Sequence, residues 1–119
     1  MDVGHHEFNF FGQSVEIAFK NKVDKFSIER MILEIMGKVS NIYDFARVKL
    51  IFECKNGYVK GDSVIIAGRN QFNIESKIDN EINSGKLIIS IITRKTINGN
   101  SSENLLDIIN DIKGNIEKS

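Results

Sequence analysis

The stretch that decides the fold is RVKLIFECKNGYVKGDSVIIA, Arg47 to Ala67. Val48, Leu50, Phe52 and Cys54 alternate with Lys49, Ile51, Glu53 and Lys55. A period of two marks a half-buried strand, because successive side chains point to opposite faces. Asn56-Gly57 then separates this run from a second one, Tyr58 onward. Asn-Gly between two such runs is a strong hairpin signal, since a type I′ turn needs positive φ at both central residues. A two-residue turn there pairs Lys55 with Tyr58, Cys54 with Val59, Glu53 with Lys60 and Phe52 with Gly61. Glu53, Lys55, Tyr58 and Lys60 then share the face opposite Phe52 and Cys54. Past Gly61, simple alternation buries Ser63 and turns Val64 outward. A bulge at Gly61-Asp62, or a strand covered on both faces, is expected instead.

Upstream of the hairpin, Ile28, Met31, Ile32, Ile35, Val39 and Ile42 recur at helical spacing. Ser27 is the expected N-cap, with Phe26 and Met31 as a hydrophobic staple. Gly37 either weakens this helix by about 1 kcal/mol relative to alanine or marks close packing. Before the helix, Phe8–Phe11 and the alternating Val15, Ile17 and Phe19 predict a first hairpin, turning at Gly12-Gln13. Lys20 to Lys25 reads as a polar loop.

Downstream, 70–84 is open between strand and helix, because Phe72 and Ile74 alternate while Ile74, Ile78 and Ile82 are spaced by four. Lys86 to Arg94 is apolar on both faces, which predicts a central strand. Leu105, Ile108, Ile109, Ile112 and Ile116 predict a second amphipathic helix, capped by Ser101 or Ser102. The order is β-β-α-β-β-(β or α)-β-α across residues 1–119, read as a single domain. This predicts the α+β class: a two-layer sandwich with a mainly antiparallel sheet of about five strands and both helices on one face.

Sixteen basic residues balance sixteen acidic ones. A zero formal net charge supplies no overall pull toward nucleic acid or an anionic membrane. No apolar run approaches the ~20 residues that cross a bilayer. Cys54, the single cysteine, forbids an intrachain disulfide and fits a reducing compartment. The expectation is a soluble, cytoplasmic protein.

The chemistry-bearing residues are sparse. His5 and His6 are the only histidines, and adjacent strand residues point apart, so no metal site is expected from them. Gly57-Tyr58-Val59-Lys60-Gly61 lacks the Walker spacing, and no Gly-x-Gly-x-x-Gly occurs. A hairpin backbone accounts for both glycines. Without a histidine in the body of the chain, no conventional hydrolase triad is built. No catalytic residue and no cofactor is assigned.

The leading expectation is therefore a non-enzymatic protein–protein interaction module: a subunit, an adaptor or an inhibitor-like, immunity-type partner. It would bind another protein, or a second copy of itself, through an open sheet face or edge. The candidate partner-binding residues are Glu53, Lys55, Tyr58, Lys60, Arg69 and Arg94. Two alternatives stand beside it. One is a small-ligand or enzyme site at strand ends around Arg69, Asn70 and Arg94. The other is a nucleic-acid binder using Lys49, Lys55, Tyr58 and Lys60 on the sheet face.

Overall fold

A computed structural model describes residues 9–42, 45–66, 69–93 and 101–118. The elements are β1 (Asn9–Val23), α1 (Lys25–Ile42), β2 (Phe45–Cys54), β3 (Gly57–Ile66), β4 (Arg69–Ile78), β5 (Ile82–Thr93) and α2 (Ser101–Lys118). The strands form one sheet in the order β1-β5-β2-β3-β4, with every ladder antiparallel. Because β5 runs against both β1 and β2, those two strands are parallel to each other, and β1-α1-β2 is a βαβ unit split by β5. Both helices pack on one face of the sheet, α1 over β2, β3 and β4, and α2 over β1. The chain is an α+β sandwich, as its periodicities predict.

The core lies between these layers. Ile28, Met31, Ile32, Ile35, Met36 and Val39 of α1 are buried, as are Leu105, Ile109, Ile112 and Ile116 of α2. They rest on Ile17, Phe19, Val48, Leu50, Phe52, Val59, Leu87, Ile89 and Ile91. Fully burying one such side chain stabilises by about 1.5–3 kcal/mol, which outweighs the weak propensity terms in either helix. The expected apolar faces of both helices thus hold, with Met36 added. The side chain of Ile42 lies outside the described residues.

Several local expectations are corrected. The first hairpin does not exist: Phe10 to Ala18 pair without interruption with Ile92 to Ser84. Gly12-Gln13 continues the strand, because ladder hydrogen bonds to an interior neighbour outweigh a glycine's turn preference. The strand also runs on through Lys20 and Lys22 to Val23. At α1 the cap is Asp24, not Ser27: the backbone N–H of Ser27 donates to Asp24 Oδ1 at 2.8 Å. Phe26 is 68% exposed, so it staples nothing, and the staple positions pass to Val23 and Ile28. Nothing lies within 4 Å of a Cβ placed on Gly37, so close packing does not explain that glycine. The segment left open resolves as strand: Gly57 to Ile66 pair with Ile78 to Arg69 in one unbroken register. The same continuity rules out the bulge at Gly61-Asp62, and Ser63 is buried with no hydrogen-bond partner for its hydroxyl among the described residues.

The deciding hairpin is real, but its register differs. Cys54 faces Gly57, Glu53 faces Tyr58, and Ile51 faces Lys60, so the turn residues are Lys55 and Asn56. The pairing moves by two positions, which preserves every face assignment. Asn56 explains the shift. Its side-chain amide donates to the Glu81 carbonyl at 2.5 Å, and its own carbonyl accepts from the Asp79 N–H at 3.3 Å. The turn thereby clamps the β4–β5 crossover beneath it. Gly57 takes φ 133°, and a Cβ there would collide with the Lys77 carbonyl. Gly61 serves a different purpose: a Cβ would sit 2.5 Å from Ile32 Cγ2 and 3.0 Å from Met36 Cε, so its absence lets α1 approach β3.

Candidate interaction face

The layer opposite the helices is a sheet face that no described element covers. Cross-strand pairing arranges it in rows. One row runs Glu16, Lys86, Glu53, Tyr58, Lys77 across all five strands. The next runs Ser14, Ile88, Ile51, Lys60, Glu75, and the third Gly12, Ser90, Lys49, Asp62, Asn73. Ile51 and Ile88 are half-buried at its centre, and beyond Ser90 the half-buried Ile92 pairs with Phe10, which stands 80% exposed near one corner. An apolar centre on β2 and β5 is thus framed by side chains of both charge signs.

The frame is partly ordered by its own contacts. Arg47 forks onto Asp62, with Nε 3.2 Å from Oδ1 and Nη2 3.0 Å from Oδ2. That hydrogen bond, and then the carboxylate's charge, push the guanidinium pKa still higher. The Tyr58 hydroxyl donates to Glu75 Oε2 at 2.7 Å, and the Lys60 ammonium sits 4.8 Å from the Tyr58 ring centroid. The Glu75 hydrogen bond is the main cause of a Tyr58 pKa raised above its ordinary 10.0. The phenol remains a neutral donor at any physiological pH. A ring fixed from two sides loses little freedom when a partner covers it.

Of the residues singled out from sequence, Glu53, Lys55, Tyr58 and Lys60 come together, lining one shallow hollow beside Ile51. Lys55 stands exposed in the hairpin turn. There it also lines a cleft of about 280 Å³ with Lys22, Cys54, Asn56 and Glu81. Arg69 shares the open face but opens β4 at the opposite end of the sheet, eight positions or about 27 Å along the strand from Lys77. Arg94, His5 and His6 lie outside the described residues, as do the side chains of Asn70, Ser101 and Ser102. Cys54 is half-buried rather than sealed in the core. Asp107 and Asp111 are exposed on α2, a solvated acidic stripe.

Sequence reasoning passed over Arg47, Asp62, Glu75 and the isoleucine centre. The signal for that centre was present. Ile51 breaks the polar half of its alternation, and Ile88 and Ile92 make their strand apolar on both faces. That pattern predicted an interior strand, which β5 is, but it equally encodes an apolar patch on the uncovered side.

Among the described residues, no group of three His, Cys, Asp or Glu is placed to hold a metal ion, and no helix is long and apolar enough to cross a membrane. No family model and no curated protein matches the chain. Among solved structures, a crystal structure of a Zn(II)-bound triple mutant of the YjiA GTPase is similar with a TM-score of 0.39 and 9% identity. The match covers 85% of this chain but 29% of that one, and a likeness this distant carries no argument about function.

Proposed function

We propose that this chain is a non-enzymatic protein–protein interaction module that binds another protein with its open sheet face. One observation carries the reading: Ile51 and Ile88, paired directly across β2 and β5, form a half-buried apolar centre on the side away from both helices. Interfaces favour such a centre, with tyrosine and arginine beside it and charges at the rim. Five strands at ~4.8 Å spacing and ten residues in length present roughly 800 Å², about what one partner contributes to a standard interface. Glu16, Glu53, Asp62 and Glu75 stand among the cations, so a polyanion would meet repulsion there, and nucleic acid is the weaker reading. A single cysteine suits the reducing cytoplasm as the place of action.

The test is affinity capture from the native cell extract with three baits: wild type, Ile88→Lys, and Leu106→Lys on the helix layer. Wild type and Leu106→Lys should retain the same protein, and Ile88→Lys should lose it while melting at an unchanged temperature. Equal retention by all three baits, or by none, defeats the proposal.

A further inference from the structure

We propose that two copies of this chain pair antiparallel along the outer edge of β4, around a twofold axis at Phe72. β4 is one of the two edge strands of the sheet, and its ladder with β3 is regular over all ten residues. Natural edge strands are usually blunted by a bulge, a proline or an inward-pointing charge. β4 has no bulge, the chain has no proline, and no charged residue occupies the helix-facing positions from Phe72 to Ile78. Phe72 itself is 40% exposed at this edge. The other edge is less regular: β1 shifts register between Ala18 and Val23.

The register follows from charge. A twofold axis normal to the sheet places same-face residues opposite each other, so only every second register is available. With Phe72 opposite itself, Arg69 meets the partner's Glu75, and this occurs twice by symmetry. Gln71 meets the partner's Asn73, also twice. Centring on Asn73 instead opposes Arg69 to Lys77, two like charges. Centring on Gln71 provides no ion pair, centring on Ile74 sets Arg69 only against Asp79 beyond the strand's end, and centring on Ser76 sets Glu75 against Lys77 but pairs only Ile74 to Ile78. Arg69 has no ion-pair partner among the described residues, and Glu75 uses Oε2 for Tyr58, which leaves Oε1 for the partner. The zero formal net charge removes long-range repulsion between copies.

Sedimentation of the full chain over a dilution series tests the pairing. The mass should rise from 13.5 kDa toward twice that value with concentration. Arg69→Glu and Glu75→Arg should each weaken the dimer roughly tenfold or more, and the double variant should restore it. A second readout needs no charge change. Phe72→Cys in a Cys54→Ser background should form a reducible dimer on oxidation, because facing residues lie within disulfide reach. Gln71→Cys in the same background should not. A single-chain mass at every concentration, a dimer indifferent to charge reversal, or a double variant that stays weakened overturns the proposal. It stands apart from the face-binding reading: a monomer that captures its partner through Ile88 sinks the edge pairing alone.

Discussion

Gly85 and Gly61 look alike in the sequence, yet the packing around them differs in kind. A Cβ on Gly61 would press on Ile32 Cγ2 and on the end of the Met36 side chain, which can turn aside. A Cβ on Gly85 would meet the Phe52 ring and, at 2.7 Å, the Glu53 carbonyl oxygen. That oxygen belongs to the adjoining β2 ladder and cannot yield without breaking pairing. Overpacking of this kind costs about 1–3 kcal/mol. Gly85→Ala should therefore lower the urea midpoint more than Gly61→Ala, and equal losses would contradict the geometry. Neither role was legible beforehand. A glycine's reason for being small is the atom that approaches it, and that atom comes from another element.

Asp24 sets the start of α1, and its contribution depends on pH in a defined direction. The Ser27 backbone N–H, and then the Ser27 side chain, hold the Asp24 pKa below its ordinary 3.8. A depressed folded pKa means stability that is present above the unfolded value and lost as pH falls through the folded one. Asp24→Ala should cost about 1 kcal/mol near neutral pH, the usual worth of such a cap. The gap between variant and wild type should narrow as pH drops below 3.8, measured by urea unfolding at each pH. A gap that widens in acid would mean the cap is not acting as a carboxylate. The elements themselves were largely readable, because a period of 3.6 or 2 states which face is buried. Their ends and pairings were not. Ser27 and Asp24 are both good caps, and only the chain's exit from β1 selects one. Spacing by four, as in Ile74 and Ile78, satisfies a helix and a strand equally until β3 offers a ladder. The hairpin turn slid from Asn56-Gly57 to Lys55-Asn56 because Asn56 is held by the crossover at Asp79 and Glu81, contacts that no local pattern announces. The candidate face was half legible for the same reason: Glu53, Tyr58 and Lys60 follow from alternation, whereas Glu75 joins them only through pairing across β3.

At the scale of the whole molecule, the sheet is closed by its own extremes. β1 near the start of the chain pairs with β5 near its end, and β5 is inserted between β1 and β2. Neither pairing of β5 can form until distant segments meet, so the loop-closure entropy falls before the contacts that offset it. Folds dominated by such pairings reach the native state in about milliseconds to seconds, slower than helical bundles of similar size. The usual sources of still slower phases are missing from the sequence. With no proline, no prolyl isomerisation of about 10–100 s can limit refolding, and with one cysteine no intrachain disulfide must reshuffle. Refolding from urea, followed by tyrosine fluorescence at concentrations where the chain is monomeric, should be a single exponential within seconds. Raising the concentration should add at most one slower, concentration-dependent phase, the signature of two β4 edges meeting. A slow phase that persists at high dilution would contradict the expected kinetics, since nothing in this chain's covalent chemistry supplies one.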